Sequence, residues 1–131
     1  MKNKFTVLIS AYLMTFSSLL FAEQAAVQVL MNKDLADFGN KEGMMLTVEY
    51  APGASSKTHK HDAHIFVYVL QGSVIMQVEG GEPVEVKAGQ TFYEAPNDIH
   101  LVSKNASDKE KAKFLVFSLK GKNIPVLIPV P

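Results

Sequence analysis

Short segments in which apolar and polar residues alternate, separated by turn residues, fill most of this sequence of 131 residues. Residues 44–50 alternate in this way, and residues 65–70 form a β-branched and aromatic run typical of a strand buried on both faces. Gly80-Gly81, which separates two alternating runs, is a strong hairpin signal. Seven more strands are predicted at residues 26–30, 74–78, 84–86, 91–94, 99–103, 114–119 and 126–128.

Regularly spaced short strands with tight turns predict an all-β domain, either a sandwich or a closed barrel that includes the jelly-roll class. The only helix candidate lies around residues 32–37, and it is at most one turn long. The charged stretch at residues 104–113 is predicted to be a solvated surface loop. The length of the chain allows one domain.

The first 22 residues follow a different pattern. Lys2 and Lys4 precede an apolar run from Phe5 to Leu20, and Ala22 offers a small residue for cleavage. This is the layout of a secretory signal peptide. A membrane anchor is the alternative, because a run of about 17 residues is near the minimum for spanning a bilayer. Since Thr and Ser interrupt the run, we expect cleavage after Ala22, a single domain over residues 23–131, and a periplasmic or secreted protein with no membrane attachment.

Composition excludes several classes of function. The chain has 13 basic residues, all of them Lys, and 13 acidic residues, so its formal net charge is zero. Loss of the first 22 residues would leave an excess of acidic groups, so we expect no nucleic-acid partner. The absence of cysteine excludes a disulfide framework, a Cys-ligated zinc site, an iron–sulfur cluster and a cysteine nucleophile.

The histidines are concentrated in one place. Three of the four, His59, His61 and His64, lie within six residues, and the fourth is His100. On a strand, side chains at i and i+2 point to one face, so His59 and His61 can share it. Two neutral imidazoles on one face can begin a site for divalent Fe, Mn, Ni, Zn or Cu. Taken alone, the pair could equally lie in an exposed polar loop, because polar residues surround it.

Glycines extend the histidine pattern. The block G-x5-H-x-H begins at Gly53, and the block G-x10-H begins at Gly89 and ends at His100. This pair of blocks resembles the two motifs of the cupin superfamily, and the segments HIFVYVLQG and AGQTFYEAPNDIHLVSKNAS are similar to small single-domain bacterial cupins. The resemblance covers residues 53–105. It implies a jelly-roll barrel of about nine strands that holds a divalent metal through His59, His61, His100 and a carboxylate or other side chain.

One departure from the family pattern affects the metal site. The first-motif Glu of the family falls at Ile65, which cannot bind a metal. Glu94 could replace it, because it stands at a position that usually carries an inward apolar residue, and a buried carboxylate needs a partner. Glu94 could also act as a base beside the metal. His64 is the other candidate, although alternation places it opposite Ile65 unless the preceding turn bulges. The predicted metal ligands are His59, His61, Glu94 and His100, and the predicted proton carriers are Glu94 and His64.

The pocket is predicted to be mostly apolar. Residues in phase with the histidines are expected to face inward, and Tyr68 and Tyr93 to face outward. Because the chain has no Arg to clamp a carboxylate or phosphate, we expect a small-molecule ligand that is weakly charged or chelates the metal. The apolar C-terminal tail is predicted to pack on the outer sheet face or to cross to a second subunit. The predicted inward residues are Ile65, Val67 and Val69, with Met76, Phe92, Val102 and Phe117 as further pocket walls.

Three functions fit these observations. The leading hypothesis is a metal-dependent enzyme of dioxygenase or isomerase type, in which an open metal position binds a small substrate and Glu94 or His64 moves a proton. The second is a non-catalytic periplasmic module that binds a metal or small ligand. The third is a metal-free barrel with solvated histidines. The fold alone does not choose among them, because function depends on the site. The resemblance also implies a homodimer.

Overall fold

The computed structural model describes residues 25–131, and every regular element in this range is a β-strand. The signal peptide and anchor interpretations fall on residues 1–22, outside the described range. Within the described range, no helix has the length and apolar character needed to cross a membrane. The ten strands are β1 (Ala26–Leu35), β2 (Lys41–Tyr50), β3 (His59–Lys60), β4 (Ala63–Gln71), β5 (Ser73–Val78), β6 (Val84–Lys87), β7 (Thr91–Glu94), β8 (Ile99–Asn105), β9 (Ala112–Gly121) and β10 (Ile128–Pro129).

These strands form two antiparallel sheets of five strands each. The first sheet has the order β1-β2-β9-β4-β7, and the second has the order β10-β3-β8-β5-β6. The all-β jelly-roll prediction is confirmed, and the strand added to the nine predicted ones is the two-residue β3. The motif glycines Gly53 and Gly89 lie in turns with φ of 73° and 86°, a conformation that glycine adopts without a steric penalty.

The single helical turn predicted at residues 32–37 is wrong. β1 continues through this segment to Leu35, and its residues Asn32 to Leu35 pair with β2 in register. Gly39 and Asn40, each with φ of 58°, make the turn into β2. Pairing with β2 satisfies the backbone hydrogen bonds of this segment, so a weak local preference for helix has no effect.

The hydrophobic core lies between the sheets, where strands alternate between inward and outward side chains. β4 alternates without a break from Ala63 to Val69, so Ile65, Val67 and Val69 are buried as predicted. Met76 of β5 is also buried. Full burial of such a side chain stabilises the fold by about 1.5–3 kcal/mol.

Two inward predictions are wrong, each for a structural reason. Met76 pairs with Ser103 and Val78 with His100, so β8 has one extra residue, a bulge, between these two pairs. His100 and Ser103 therefore both face inward, and Val102 is only half-buried. Phe117 faces outward and is 37% exposed. Its strand is apolar on both faces over residues 114–117, so periodicity in the sequence could not choose between the faces.

The outer face of the first sheet carries one continuous row of apolar side chains. The row crosses all five strands through successive cross-strand pairs. Tyr68 lies on the neighbouring row and, like Tyr93, is exposed, as predicted. We refer to the row as the outer apolar row; its members are Met31, Met45, Phe117, Phe66 and Tyr93.

A buried ion pair lies at one end of the inner face of the first sheet. Glu42 of β2 and Lys120 of β9 are paired in register, and the Lys120 ammonium donates to the Glu42 carboxylate. The same ammonium donates to the Ile124 carbonyl at 2.7 Å. Their side chains are only 7% and 3% exposed, so each charge depends on the other for compensation.

The C-terminal tail differs from both of its predicted positions. It leaves β9, reaches the second sheet of its own chain, and pairs there as β10 with β3. Val126 and Leu127 thereby line the cavity between the sheets.

Candidate metal centre

Three histidines meet on the inner face of the second sheet. His59 of β3 lies directly opposite His100 of β8, and His61 follows two residues after His59. The ring centroid of His59 lies 4.9 Å from that of His61 and 5.1 Å from that of His100. One nitrogen of each ring lies within 4.8 Å of the others, so the triad is positioned to bind a metal.

Backbone carbonyls determine which nitrogen of two rings is available. Nδ1 of His59 donates to the Lys57 carbonyl at 2.7 Å, and Nδ1 of His61 donates to the Val126 carbonyl. Because a carbonyl can only accept a hydrogen bond, both Nδ1 atoms carry the proton. Each Nε2 therefore keeps its lone pair for a metal.

Glu94 reaches the triad from β7 of the first sheet. It is 2% exposed, and its Oε2 lies 3.3 Å from Nδ1 of His100 and 3.7 Å from Nε2 of His61. Neighbouring ligand atoms of a tetrahedral metal with bonds of about 2.1 Å are roughly 3.4 Å apart. The carboxylate therefore stands at ligand spacing from two of the histidines, whereas the group of atoms that all lie within 4.8 Å of one another consists of the three histidines.

Burial determines the protonation of Glu94 and the three histidines in the metal-free protein. Burial, with a smaller effect from Asp98, raises the pKa of Glu94 to about 7. Burial and the two neighbouring histidines lower the pKa of His100 to about 3, and burial also lowers the pKa of His59 and of His61. At neutral pH the metal-free cluster thus holds neutral imidazoles beside a carboxyl group that is close to its own pKa, so its close contacts are not ion pairs.

Several buried polar atoms here lack partners. Within residues 25–131, Glu94 Oε2 and both ring nitrogens of His100 are buried without a hydrogen bond. An unsatisfied buried polar atom costs about 1–3 kcal/mol. A divalent cation held by imidazole and carboxylate would offset that cost, so the residues fit such an ion.

The structure does not bring His64 into this cluster. His64 lies on the outer face of the first sheet and is exposed, and its Nδ1 lies 2.7 Å from the Tyr93 hydroxyl. The preceding turn does not reverse the alternation, so Ile65 takes the inward position and His64 the outward one. His64 is therefore not placed to move a proton at the cluster.

A cavity of about 280 Å³ opens beside the cluster. Its walls are mostly apolar, with Met76 among them as predicted, and no lysine among residues 25–131 lines it. Phe92 packs instead behind the site, where its ring is stacked on His100 at 6.1 Å and 9°. The apolar part of the lining consists mainly of Leu46, Val48, Ile65, Val67, Phe114 and Val116.

A hydroxyl cluster in the same cavity was not predicted. The Tyr50 hydroxyl lies 2.6 Å from Ser56 Oγ and 2.8 Å from Ser103 Oγ, and all three residues line the cavity. Burial raises the pKa of Tyr50. Alternation with Leu46 and Val48 could have identified Tyr50 as an inward-facing residue. Ser103 faces inward only because β8 bulges, which the sequence does not show.

Comparison with known proteins gives a family match and one curated relative. A protein-family model described as Cupin domain matches residues 46–118. The pectin degradation protein KdgF of Dickeya dadantii (strain 3937) is 37% identical over 60 residues, which are 45% of this chain and 54% of the relative. The chain therefore spans about half the length of that relative.

Solved structures share the fold at low sequence identity. The DMSP lyase DddQ from Ruegeria pomeroyi DSS-3 matches with a TM-score of 0.67 and 15% identity, over 93% of this chain and 59% of that chain. The polyketide cyclase RemF from Streptomyces resistomycificus matches with a TM-score of 0.60 and 22% identity, over 82% and 71% of the two chains. These likenesses show the fold and leave the chemistry to the site.

Proposed function

The chain belongs to the cupin family, and on that premise we propose that it is a metal-dependent enzyme acting on a small molecule in the cavity. The observation that carries the proposal is the cluster of His59, His61 and His100, whose ligand atoms lie within 4.8 Å of one another. Glu94, whose Oε2 has no hydrogen-bond partner within residues 25–131, supplies the fourth ligand through that oxygen and keeps its Oε1 as a base.

The cavity suggests the class of substrate. Its volume of about 280 Å³ suits a small molecule, and its described lining includes no Lys or Arg. A free phosphate or carboxylate would find no Lys or Arg partner there. The substrate therefore has an apolar or weakly charged body and an oxygen that chelates the metal, and its remote end meets the hydroxyls of Tyr50, Ser56 and Ser103.

Proton transfer of isomerase type is the reaction that this site supports best. When bound, a divalent metal would polarise a chelating oxygen of the substrate as a Lewis acid. Glu94 is the only carboxylate lining the cavity within the described residues. It takes a proton from the carbon beside that oxygen and returns it to a neighbouring atom, so the reaction needs no co-reactant. The apolar walls exclude water from this transfer.

Metal analysis of the purified protein, prepared without a histidine tag, tests the proposal first. We expect close to one divalent ion per chain in the wild type and little in a variant with His59→Ala and His100→Ala. His64→Ala is the matched control, because it removes an imidazole from the outer face and should leave metal content unchanged. Equally low content in the wild type and the double variant would overturn the metal-dependent function.

A substrate panel then tests the reaction. The metal-loaded protein is assayed for isomerisation of diketones and for oxidation of catechols. Sugar acids from pectin breakdown, chosen because of the named relative, are the charged class that the cavity should bind poorly. Oxygen uptake is recorded in the same assays, since a dioxygenase consumes O2 and an isomerase does not. Ligand affinity without turnover would favour a non-catalytic binding module.

A further inference from the structure

The C-terminal segment after β9, residues 122–131, crosses from the first sheet to the second at the mouth of the cavity. We refer to it as the C-terminal strap. Near its start, the Ile124 carbonyl accepts a hydrogen bond from Lys120 at 2.7 Å. Near its end, the Val130 amide donates to the Thr58 carbonyl at 3.2 Å. Between these anchors, Val126 and Leu127 line the cavity.

The strap contacts one metal-ligating histidine directly. The Val126 carbonyl accepts the Nδ1 proton of His61, 65 residues away along the chain. This bond places the proton on Nδ1, so Nε2 keeps its lone pair. Nε2 faces Glu94 and lies 3.7 Å from its Oε2. His59 differs, because its Nδ1 proton goes to the Lys57 carbonyl in its own loop.

The strap also supports the strand that carries the other first-motif histidine. β3 has two residues, and its neighbours are β8 on one side and β10 of the strap on the other. Ile128 pairs with Lys60 and Pro129 with His59. Without β10, this strand would become a two-residue edge strand held from one side only. Pro129, which has no amide proton, suits the outer edge that β10 forms.

We propose that the C-terminal strap is a positioning element of the metal site: the Val126 carbonyl orients His61 for metal binding, and β10 holds the short strand that carries His59. This inference rests on the proposed metal-dependent function for its purpose, but its geometry is present in the metal-free protein. Loss of one partner that orients a ligating histidine typically lowers metal affinity by about 10- to 100-fold.

The first test reads the histidine tautomers directly. Nitrogen-15 NMR of the metal-free protein above neutral pH should show His61 protonated at Nδ1 in the wild type. In a variant truncated after Ile124, which keeps the carbonyl used by Lys120, His61 should become a mixture of tautomers. His64 is the internal control and should show no change, because its Nδ1 contacts the Tyr93 hydroxyl on the outer face of the first sheet and not the strap. An unchanged His61 tautomer in the folded variant would overturn the proposal.

The second test measures metal affinity with Co(II) or Zn(II) alone as the probe. Truncation after Ile124 should weaken binding by about 10- to 100-fold. Truncation after Val130, which keeps Val126, β10 and the Val130 anchor, is the control and should bind nearly as the wild type does. Equal affinities in the two truncated proteins would contradict the positioning role.

A covalent lock keeps the test decisive if the shorter chain fails to fold. Because the chain has no cysteine, Lys60→Cys with Ile128→Cys introduces one cross-strand disulfide between β3 and the strap. Release of Co(II) to a chelator should be several-fold slower in the oxidised form than in the reduced form. Ile75→Cys with Glu85→Cys, which joins β5 to β6, is the matched control. Equal release rates in oxidised and reduced forms of the lock would overturn the proposal.

The proposal and the proposed function fail in different ways. A wild type that binds no metal would contradict the function, while the His61 tautomer would still report whether the strap orients the ring. A wild type that binds metal, with the same His61 tautomer and affinity after truncation, would contradict the strap alone.

Discussion

Glu94 of β7 lies directly across from Ile65 of β4, on the same inward row of the first sheet. Ile65 occupies the position where the cupin motif has its carboxylate, and the neighbouring strand provides one instead. Side chains at directly opposed positions have Cβ atoms about 4.5–5.5 Å apart, within reach of the same metal. We propose that Glu94 completes the ligand set from this next strand.

The exchange of these two residues is the first prediction. Glu94→Gln should lower Zn(II) affinity by roughly 100-fold or more, because the loss of a ligand should exceed the 10- to 100-fold effect of an outer partner. The double variant Ile65→Glu with Glu94→Ile should recover part of that loss, since the carboxylate returns to the same row. Titration calorimetry measures both. Glu85→Gln, at an exposed carboxylate of β6, is the control, and a loss in that variant equal to the loss in Glu94→Gln would contradict the assignment.

The pH dependence of stability in the metal-free protein is the second prediction. The pKa of Glu94 rises from 4.5 to about 7 on folding, so the folded state holds an extra proton between these values and its stability falls as pH rises through them. The lowered pKa of His59, His61 and His100 acts oppositely, and stability is lost as pH falls below 6.5.

Glu94→Gln separates the two effects. The free energy of unfolding of the variant should rise relative to that of the wild type as pH increases from 4.5 to about 7, the two pKa values of Glu94. The rise should be at most about 1.4 kcal/mol per pH unit. Urea unfolding with a chelator present, at several pH values across that window, measures the difference. A constant difference at all pH values would show that Glu94 titrates normally.

Removal of the Tyr50 hydroxyl is the third prediction. Tyr50→Phe leaves the Ser56 and Ser103 hydroxyls without their shared partner, and only Ser103 keeps another contact, to Met76 Sδ at 3.6 Å. We expect a loss of about 1–3 kcal/mol in the free energy of unfolding. Tyr68→Phe, at an exposed phenol, is the control and should change little. Urea unfolding compares the two, and equal losses would argue against the buried cluster.

The buried Glu42–Lys120 pair gives the fourth prediction. Lys120→Met leaves a buried carboxylate unpaired and should cost about 3–5 kcal/mol, whereas Glu42→Leu with Lys120→Met removes both charges and should recover most of it. Lys122→Met breaks an exposed pair with Asp34 and should change the free energy of unfolding little, because solvent screens both charges. Denaturant unfolding tests this order, and a double variant as unstable as Lys120→Met would contradict it.

The expected homodimer gives the fifth prediction, and we propose the outer apolar row as its interface. The row is uncharged and crosses five strands, about 20 Å at a spacing of about 4.8 Å, and a two-fold axis would place it against itself. Phe66→Lys should shift the mass measured by light scattering from dimer to monomer. Leu101→Lys introduces the same charge on the outer face of the second sheet and should leave the mass unchanged. A monomeric wild type would contradict the expectation.

The all-β architecture and the first half of the metal site followed from local patterns. Alternation, apolar runs and turn residues predicted nine of the ten strands, because these signals lie within each segment itself. The i, i+2 spacing of His59 and His61 placed them on one face for the same reason, and Ile65 excluded a ligand at its own position. The burial of Glu94 was predicted because a carboxylate stood where an inward apolar residue was expected.

The tertiary structure decided what depends on register between distant segments. The sequence does not record that His100 lies opposite His59, that Glu94 lies opposite Ile65, or that the Val126 carbonyl meets His61, since each pairing depends on how the two sheets close around the core. The bulge in β8 also turns Ser103 inward and Val102 aside. Alternation gives the face of a residue within its own strand, whereas the barrel's closure selects the residue that stands across from it.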